Sequence, residues 1–388
     1  MKTATALFLC LIAPVVLWAQ EPRETPRSSG LSVQLEPMGD QHLAQIERFR
    51  TPSAMGSREI SSGDQALPLP VRENDFSGLR YQVDGMEYSI DDFMSHNHVG
   101  GLLVLKDGEI QLEHYGLGNT EETVWIGYSM AKSVTSLLYG AAIADGYISS
   151  LDAQVTDYLP ALRGSAYEEA TLRNLLQMAS GVQWNEDYAD PDSDVGNYPG
   201  GDVVRLLEFL GDKPRVAPPG ESFNYSTGET DLAGVVLRAA IGNNLATYLE
   251  HKLWRPMMES TAHWATHGVG GGERGGCCTY ATLRDYGRIG QFVLNGGVLP
   301  DGTRILPEGW IAESTTPSPA SDGYGYFWWL EDDGAFRASG IFGQGIYINP
   351  ETDTVIAVLS AWTTATGPDY EAHRNALFSA IDGFLATP

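Results

Sequence analysis

The order of strand-like and helix-like segments is the feature that most restricts the fold of this chain. A β-hairpin, over 101–105 and 109–115, is followed by a helix that we predict from about Ser129 to Asp145. Short helices and loops continue for a long stretch, and strand-like segments return only after Gly323. Because strands and helices occupy separate parts of the chain, a doubly wound parallel sheet is disfavoured. We therefore predict an α/β (α+β) fold with an antiparallel sheet flanked by helices and an all-helical subdomain inserted at about 149–267.

Apolar spacing sets the bounds of the other predicted elements. Apolar residues recur at helical intervals in several further segments, and runs of aromatic and β-branched residues indicate strands near the C-terminus. We predict helices over Thr171 to Met178, Asp202 to Gly211, Asp231 to Ile241, Tyr280 to Leu294 and about Tyr370 to Leu385, and strands over Tyr324 to Leu330, Ala335 to Ser339, Ile346 to Ile348 and Thr354 to Trp362.

The first residues have the composition of an export signal. Lys2 precedes an almost wholly apolar run from Ala6 to Trp18, and the small residue Ala19 closes it. A membrane-spanning helix needs about 20 apolar residues, and this run is shorter. We therefore predict a signal peptide over 1–19, no stable membrane anchor, and a secreted or periplasmic protein.

The segment that follows the predicted signal differs in composition from the rest of the chain. Residues 20–75 are rich in Pro, Ser, Gly and charged residues, which is typical of an extended arm or linker. We therefore predict one folded domain over 76–388, long enough to bury a large core without disulfides or metals.

The charge of the chain restricts its partners. Lys and Arg together number 24 and Asp and Glu number 50, which gives a formal net charge of −26. An acidic surface repels the phosphates of nucleic acids and of anionic lipid headgroups. We therefore expect no nucleic-acid partner and no docking on a membrane surface, and we make no prediction of the oligomeric state.

The Cys and His residues lack the spacing of a common metal site. Cys277 and Cys278 are adjacent, which favours two packed residues over a long-range disulfide or a zinc site. His96 and His98 could reach one metal from a loop, but we expect solvated side chains. The acidic run from Asp187 to Asp194 lacks the Gly and Glu positions of a calcium loop. We therefore expect no metal and no cofactor.

Ser129 and Lys132 are the strongest candidates for chemistry. They lie three residues apart at the predicted start of a helix, so that both side chains share one face. The N–H groups of a helix start can stabilise an oxyanion, and burial there favours a neutral lysine that can accept the serine proton. A helix cap beside a surface lysine is one alternative. Another is the nucleophile elbow of α/β-hydrolases, with His373 as a partner, but the alternating elements of that fold are not predicted here.

The segment Ser129-Met130-Ala131-Lys132-Ser133 resembles the first motif of the serine β-lactamase and penicillin-binding protein superfamily. The resemblance extends from about Gly100 to Phe384 and implies the β-lactamase/transpeptidase-like fold. Further segments similar to the family, in the same order, are Leu172 to Leu176 with Ala179 to Val182, Pro219 to Thr227, Gly276 with Leu283 to Gly290, Tyr324 to Trp329, and Ser339 to Gln344. The segments that resemble the 6-aminohexanoate-dimer hydrolase branch, close to class C β-lactamases and related esterases, are Trp184 to Pro191 and Gly340 to Gln344.

This resemblance implies a covalent acyl-enzyme route. Ser129 would attack a carbonyl group and Lys132 would be the base. Tyr225 would pass a proton to the leaving group and help to activate water. The backbone N–H groups of Ser129 and Ile341 would hold the oxyanion.

Two departures from the family pattern argue against β-lactam substrates. The third motif of penicillin-recognising enzymes carries a Lys or a His, but here the strand has Ala338-Ser339-Gly340, with Arg337 beside it. Thr227 replaces the usual Asn and offers a hydroxyl instead of an amide. We therefore predict cleavage of esters or small linear amides.

Four residues are predicted to contact the substrate. The related hydrolases use a tyrosine in the region of Tyr188 to bind the amine or amide, and Thr227 and Gly340 lie in motifs that border the site. Trp184 is a candidate for the wall of an acyl pocket, although aromatic residues most often pack in a core.

Two kinds of alternative remain open. A β-lactamase or a D-amino acid or cell-wall peptidase is compatible with the superfamily, and so is a non-catalytic sensor of the same fold. The set of Ser129, Lys132 and Tyr225 favours an enzyme, a serine hydrolase, over a sensor. We therefore expect a small-molecule ester or amide as the binding partner.

Overall fold

A computed structural model describes residues 39–52, 56–197, 202–268 and 271–386. The predicted signal peptide over 1–19 lies outside these residues, as does the first part of the predicted linker. Among the described helices, none is long and apolar enough to cross a bilayer.

Strands occur towards both ends of the described chain, and helices fill most of its middle. The strands are β1 (Ser57–Ile60), β2 (Tyr81–Val83), β3 (Met86–Tyr88), β4 (Val99–Lys106), β5 (Glu109–Tyr115), β6 (Trp125–Ile126), β7 (Ala262–Ala265), β8 (Thr279–Ala281), β9 (Trp329–Leu330), β10 (Phe336–Gly340), β11 (Gln344–Asn349) and β12 (Thr354–Ser360). The helices are α1 (Asp40–Phe49), α2 (Ile90–His96), α3 (Met130–Ala144), α4 (Val155–Tyr158), α5 (Leu172–Leu176), α6 (Val203–Gly211), α7 (Thr227–Ile241), α8 (Leu245–Leu249), α9 (Arg255–Met257), α10 (Leu283–Leu294), α11 (Trp310–Ser314) and α12 (Pro368–Leu385).

The main sheet is antiparallel throughout, in the order β5-β4-β12-β11-β10-β9. This confirms the predicted sheet. Strands β4, β11 and β12 are almost completely buried because helices cover both faces. Along β4, Leu103 and Leu105 belong to one core cluster with residues of α10, while Leu102 and Val104 belong to another with residues of α2 and α12.

The predicted helical insert is present, but a strand lies at its end. Helices α4 to α9 all lie within 149–267, where loops join them, and β7 follows them. This strand belongs to a smaller sheet of order β1-β7-β8-β6. Its partner β1 pairs Ser57 with Ala265, and such a distant pairing of two four-residue strands leaves little signal in the local sequence.

The segment predicted as an arm or linker contributes two elements to the domain. Helix α1 and strand β1 lie within 20–75, so the prediction of an extended arm is corrected for these residues. Ile46 and Phe49 of α1 are buried in the larger core, and the ring of Phe49 contacts that of Tyr128 with centroids 5.3 Å apart. The polar composition of α1 concealed a helix with one apolar face.

The N-cap residues of α3 and α7 set the start of these two helices, which carry candidate catalytic residues. Helix α3 confirms the helix predicted from Ser129 to Asp145. Helix α7 begins at Thr227, earlier than the predicted Asp231, because the Ser226 side chain accepts a hydrogen bond from the backbone N–H of Glu229. This start brings Thr227 close to α3.

Two other predicted elements differ from the structure by more than two residues at one end. Helix α10 begins at Leu283, because Thr282 caps it and Tyr280 belongs to β8. Of the strand predicted over 324–330, only β9 forms. Phe327 has a left-handed φ of 62°, which no strand accommodates.

Candidate active site

Ser129 lies at a sharp turn between β6 and α3. Tyr128 has a left-handed φ of 45°, and Ser129 is the N-cap residue of α3. Gly127 is required before this turn, because a Cβ atom there would lie 2.6 Å from the hydroxyl oxygen of Tyr286. Ser129 itself is 7% exposed and lines a cavity. The turn therefore presents a nearly buried hydroxyl at a helix N-terminus, where backbone N–H groups stabilise negative charge.

The amino group of Lys132 lies inside the protein and donates to three oxygens. Its Nζ is 3.1 Å from Ser129 Oγ, 3.0 Å from Thr227 Oγ1 and 2.9 Å from the carbonyl oxygen of Gly276. All three N–H donors of the protonated amine therefore have a partner. The structure thus excludes the alternative of a surface lysine beside a helix cap.

Tyr225 completes a compact group of three functional side chains. It lines the same cavity as Ser129, and its ring centroid lies 5.1 Å from Lys132 Nζ. The ring stacks on Trp329, with centroids 5.4 Å apart and an interplanar angle of 23°. The structure therefore brings Ser129, Lys132 and Tyr225 together, as the motifs predict.

Burial lowers the pKa of Lys132 and raises the pKa of Tyr225. It lowers the pKa of Lys132 to about 8, although the carboxylates of Glu186 and Asp231 oppose this change. Burial and the charge of Glu186 raise the pKa of Tyr225, and the side chain of Ser129 opposes them. Lys132 can therefore lose a proton near neutral pH, while Tyr225 stays a neutral hydroxyl that can both donate and accept.

Glu186 belongs to the candidate site, and the sequence analysis gave it no role. Its carboxylate accepts hydrogen bonds from the backbone N–H of Thr227 at 2.9 Å and from the Thr227 hydroxyl. It also accepts from Tyr188 Oη at 2.6 Å and from the indole N–H of Trp184. The segment was recognised only as part of a family resemblance, and no spacing rule connects Glu186 to α7. Only the fold shows that this carboxylate neighbours the Lys132 network.

Three of the predicted substrate contacts, Trp184, Tyr188 and Thr227, are hydrogen-bonded to Glu186. Trp184 is 7% exposed, belongs to the core and is not among the residues that line the cavity at Ser129. The prediction that Trp184 forms a wall of the pocket is therefore wrong. The hydroxyl of Thr227 is hydrogen-bonded to Lys132 and to Glu186. Tyr188 does line the cavity and is 37% exposed, so it remains a candidate for substrate contact.

The end of β10 approaches the nucleophile turn closely. A Cβ atom on Gly340 would lie 2.4 Å from the carbonyl oxygen of Gly127. Only glycine permits this approach, and it places Ile341 beside Ser129 in the lining of the same cavity. The predicted backbone donors of Ser129 and Ile341 therefore belong to segments in direct contact.

The cavity at Ser129 has a volume of about 320 Å³ and contains two arginines. Arg337 on β10 forms an ion pair with Glu331. Arg374 on α12 is 4% exposed, and its guanidinium forms no ion pair within the described chain. It lies 5.5 Å from the centroid of the Trp362 ring. Burial and the repulsion of Arg337 lower the pKa of Arg374 to about 9, and the carboxylates of Glu371 and Glu331 oppose this change only in part.

Larger cavities elsewhere contain none of the candidate catalytic residues. One of about 360 Å³ is lined by side chains of β5 and α2, and another of about 430 Å³ lies beside α6. Their lining includes neither Ser129 nor Tyr225, which both line the cavity of about 320 Å³. The smaller cavity is therefore the candidate active site.

Cys277 and Cys278 are joined as a disulfide between adjacent residues. Cys278 is buried in the larger core and Cys277 packs against it, as the sequence analysis expected. The pair directly follows Gly276, whose carbonyl oxygen accepts the hydrogen bond from Lys132.

Comparisons with known proteins agree with this geometry. The family model described as beta-lactamase matches residues 87–380. The 6-aminohexanoate-dimer hydrolase of Paenarthrobacter ureafaciens is 30% identical over 331 residues, which cover 78% of this chain and 81% of the relative. A solved structure provisionally described as a 6-aminohexanoate-dimer hydrolase from Bacillus anthracis has a TM-score of 0.77 at 22% identity, covering 94% of this chain and 98% of the other. A family VIII carboxylesterase has a TM-score of 0.57 at 17% identity, covering 75% and 95%.

Proposed function

The chain belongs to the beta-lactamase family of serine hydrolases, and we propose that it cleaves small linear amides and esters through an acyl-enzyme on Ser129. The observation that carries the proposal is the distance of 3.1 Å between Lys132 Nζ and Ser129 Oγ. Ser129 and Tyr225 line the same cavity. A buried amine with a pKa of about 8 is suited to remove the serine proton.

Acylation begins when neutral Lys132 takes the proton from Ser129 Oγ. The oxygen attacks the substrate carbonyl, and the N–H groups of Ser129 and Ile341 stabilise the negative charge on the carbonyl oxygen. The proton then passes through Tyr225 to the leaving nitrogen or oxygen as the scissile bond breaks. Water, activated through the same groups, hydrolyses the acyl-enzyme and releases the acid.

Arg374 favours a substrate that carries a carboxylate. This guanidinium borders the cavity of Ser129 and is nearly buried without an ion pair in the described chain. A carboxylate on the substrate would compensate its charge with strong hydrogen bonds. The relative in Paenarthrobacter ureafaciens is named for a linear dimer of 6-aminohexanoate, an amide of this kind, and we propose linear amides with a free carboxylate as the preferred class.

We also propose that the protein is exported. The apolar run from Ala6 to Trp18, followed by Ala19, supports a cleaved signal peptide and a secreted or periplasmic location. N-terminal sequencing of the protein secreted by an expressing bacterium tests this proposal. A mature chain that begins near Gln20 supports it, and a chain that begins at Met1 or Lys2 contradicts it.

The first experiment is a hydrolysis panel with the purified mature protein and its Ser129→Ala variant. The panel holds a short-chain nitrophenyl ester, a linear 6-aminohexanoate dimer, a chromogenic cephalosporin and a D-amino acid amide. Ser222→Ala is the matched control, because that serine is exposed and makes no contact with Lys132. Ester or linear-amide turnover that disappears only in Ser129→Ala supports the proposal.

The other outcomes identify the alternatives. Preferential cleavage of the cephalosporin or of the D-amino acid amide would make the protein a β-lactamase or a peptidase. Equal turnover in both variants would exclude Ser129 as the nucleophile. No turnover together with no covalent mass shift from a serine-directed phosphonate would favour a sensor.

A further inference from the structure

Three potential metal ligands from two helices meet outside the catalytic cavity. His96 ends α2, and Asp369 and His373 lie one turn apart near the start of α12. One ligand atom from each side chain lies within 4.8 Å of the other two. The loop pair of His96 and His98 that the sequence suggested is not this group, because His98 packs against the ring of His42 instead.

His96 pairs with the carboxylate of Asp369. Its Nε2 is buried and lies 2.8 Å from Asp369 Oδ2, in an ion pair between the end of α2 and the start of α12. An imidazole nitrogen that carries no proton and a carboxylate oxygen are both ligand atoms for a metal cation.

His373 is held by a second hydrogen bond. The side chain is 2% exposed, and its Nδ1 lies 2.8 Å from the hydroxyl oxygen of Tyr81. When Nδ1 carries the proton and donates to that oxygen, Nε2 keeps a free lone pair. Metal-binding histidines usually have such a partner on the nitrogen that does not bind the metal. The rings of His96 and His373 lie with centroids 4.1 Å apart, so that both are within reach of one ion.

We propose that His96, Asp369 and His373 bind one Zn²⁺ ion, with water as the fourth ligand. Two imidazoles and one carboxylate are a donor set typical of zinc. Residues four apart on a helix, as Asp369 and His373 are, present their side chains on one face. Tetrahedral ligand atoms that each lie about 2.0–2.1 Å from zinc are about 3.3–3.5 Å from one another. The Asp369 side chain is 69% exposed, so it can rotate until its oxygen lies at that distance from the histidine nitrogens.

The position of this zinc site indicates a structural role. The ion would connect the end of α2 to the first turns of α12. A different face of α12 carries Glu371 and Arg374, which line the cavity at Ser129. Zinc would therefore fix the helix that supplies Arg374 without touching the reacting groups. The inference does not depend on the proposed hydrolytic function.

The test is a zinc titration of the full, untagged mature chain after treatment with a chelator. Calorimetry should show about one Zn²⁺ per chain, and the thermal midpoint should rise with zinc because the ion binds the folded state. Asp369→Asn and His96→Gln should each weaken binding at least tenfold. His114→Gln is the control, because that histidine is exposed on β5 and outside the cluster.

Asp369→Asn keeps the proposal testable even if His96→Gln fails to fold, because its side chain is mostly exposed. No zinc binding by the wild type would overturn the proposal. Zinc binding that is equally tight in Asp369→Asn, His96→Gln and His114→Gln would also overturn it, because the ion would then have other ligands.

Discussion

The hydroxyl of Thr227 connects Lys132 to Glu186. It accepts a hydrogen bond from Lys132 Nζ at 3.0 Å and donates its own proton to the carboxylate of Glu186. An Asn at this position would offer a carbonyl oxygen to the lysine without donating from the same atom. Thr227 thus connects Lys132 to a carboxylate, and Glu186 places a negative charge near the amino group of Lys132.

Replacing Glu186 with Gln should shift the pH dependence of hydrolysis to lower pH. Glu186 favours the protonated form of Lys132 and raises its pKa, so removal of the charge lowers that pKa from about 8. Neutral Lys132 then exists at lower pH, and the rising limb of kcat/KM moves in the same direction. The measurement is a kcat/KM profile between pH 5 and pH 10 for an ester substrate.

Asp192→Asn is the control for that profile. Asp192 is an exposed carboxylate in the same loop region and makes no contact with Lys132. An inflection that stays in place in Glu186→Gln, or that moves to higher pH, would contradict a charge effect of Glu186 on the base.

Replacing Lys132 with Ala should remove activity while the fold remains. Loss of a general base typically costs about 10²–10⁴-fold in rate, and the variant also removes a buried cation, which limits the loss of stability. The expected result is a circular dichroism spectrum like that of the wild type with kcat at least about 100-fold lower. Lys252→Ala removes an ion pair with Asp145 and a contact with the ring of Tyr248, and this variant should keep full activity. Near-wild-type turnover by Lys132→Ala would exclude it as the base.

The sequence predicted those residues and elements whose pattern lies within a short stretch of the chain. Ser129 and Lys132 are separated by one helical turn, and the strands of the central sheet have apolar runs that are buried on both faces. Tyr225 was recognised through a motif, and its distance from α3 in the chain would otherwise have concealed it. Local patterns thus identified the candidate nucleophile, the candidate base and the main sheet.

The residues that could not be predicted depend on long-range packing. Glu186 reaches Thr227 across 41 positions of the chain, and Arg374 enters the cavity from a helix that sequence periodicity assigns only to the core. Strand β1 was missed because its single partner is β7, about two hundred residues away. Trp184 was misplaced because an aromatic residue beside a motif can face either a pocket or a core, and the sequence does not distinguish the two.

Replacing Arg374 with Gln should reduce activity only on substrates that carry a carboxylate. A hydrogen bond to a charged group contributes about 2 kcal/mol, or roughly 30-fold in kcat/KM. The test compares a linear 6-aminohexanoate dimer with the same dimer whose carboxylate is converted to a primary amide. The variant should lose roughly 30-fold on the first, mainly through KM, and little on the second. Equal losses on both would show that Arg374 supports the structure of the cavity instead of recognising an anion.

Replacing Gly340 with Ala should lower kcat by displacing Ile341 from the nucleophile. The new Cβ atom would lie 2.4 Å from the carbonyl oxygen of Gly127, so β10 must move away from the turn that carries Ser129. Loss of one oxyanion donor typically costs about 10²–10³-fold in kcat. Gly345→Ala on β11 is the matched control, because its Cβ atom would meet its nearest neighbour at an ordinary 3.4 Å.

The Gly340→Ala comparison requires kcat per reactive site, with sites counted by phosphonate labelling of Ser129, so that unfolded molecules are excluded. Under this measure the Gly345→Ala variant should resemble the wild type, and the Gly340→Ala variant should be slow in every labelled molecule. A normal kcat in Gly340→Ala would mean that β10 can move without disturbing the reaction. The backbone N–H of Ile341 would then not be an oxyanion donor, and stabilisation of the transition state would have to come from the N-terminus of α3 alone.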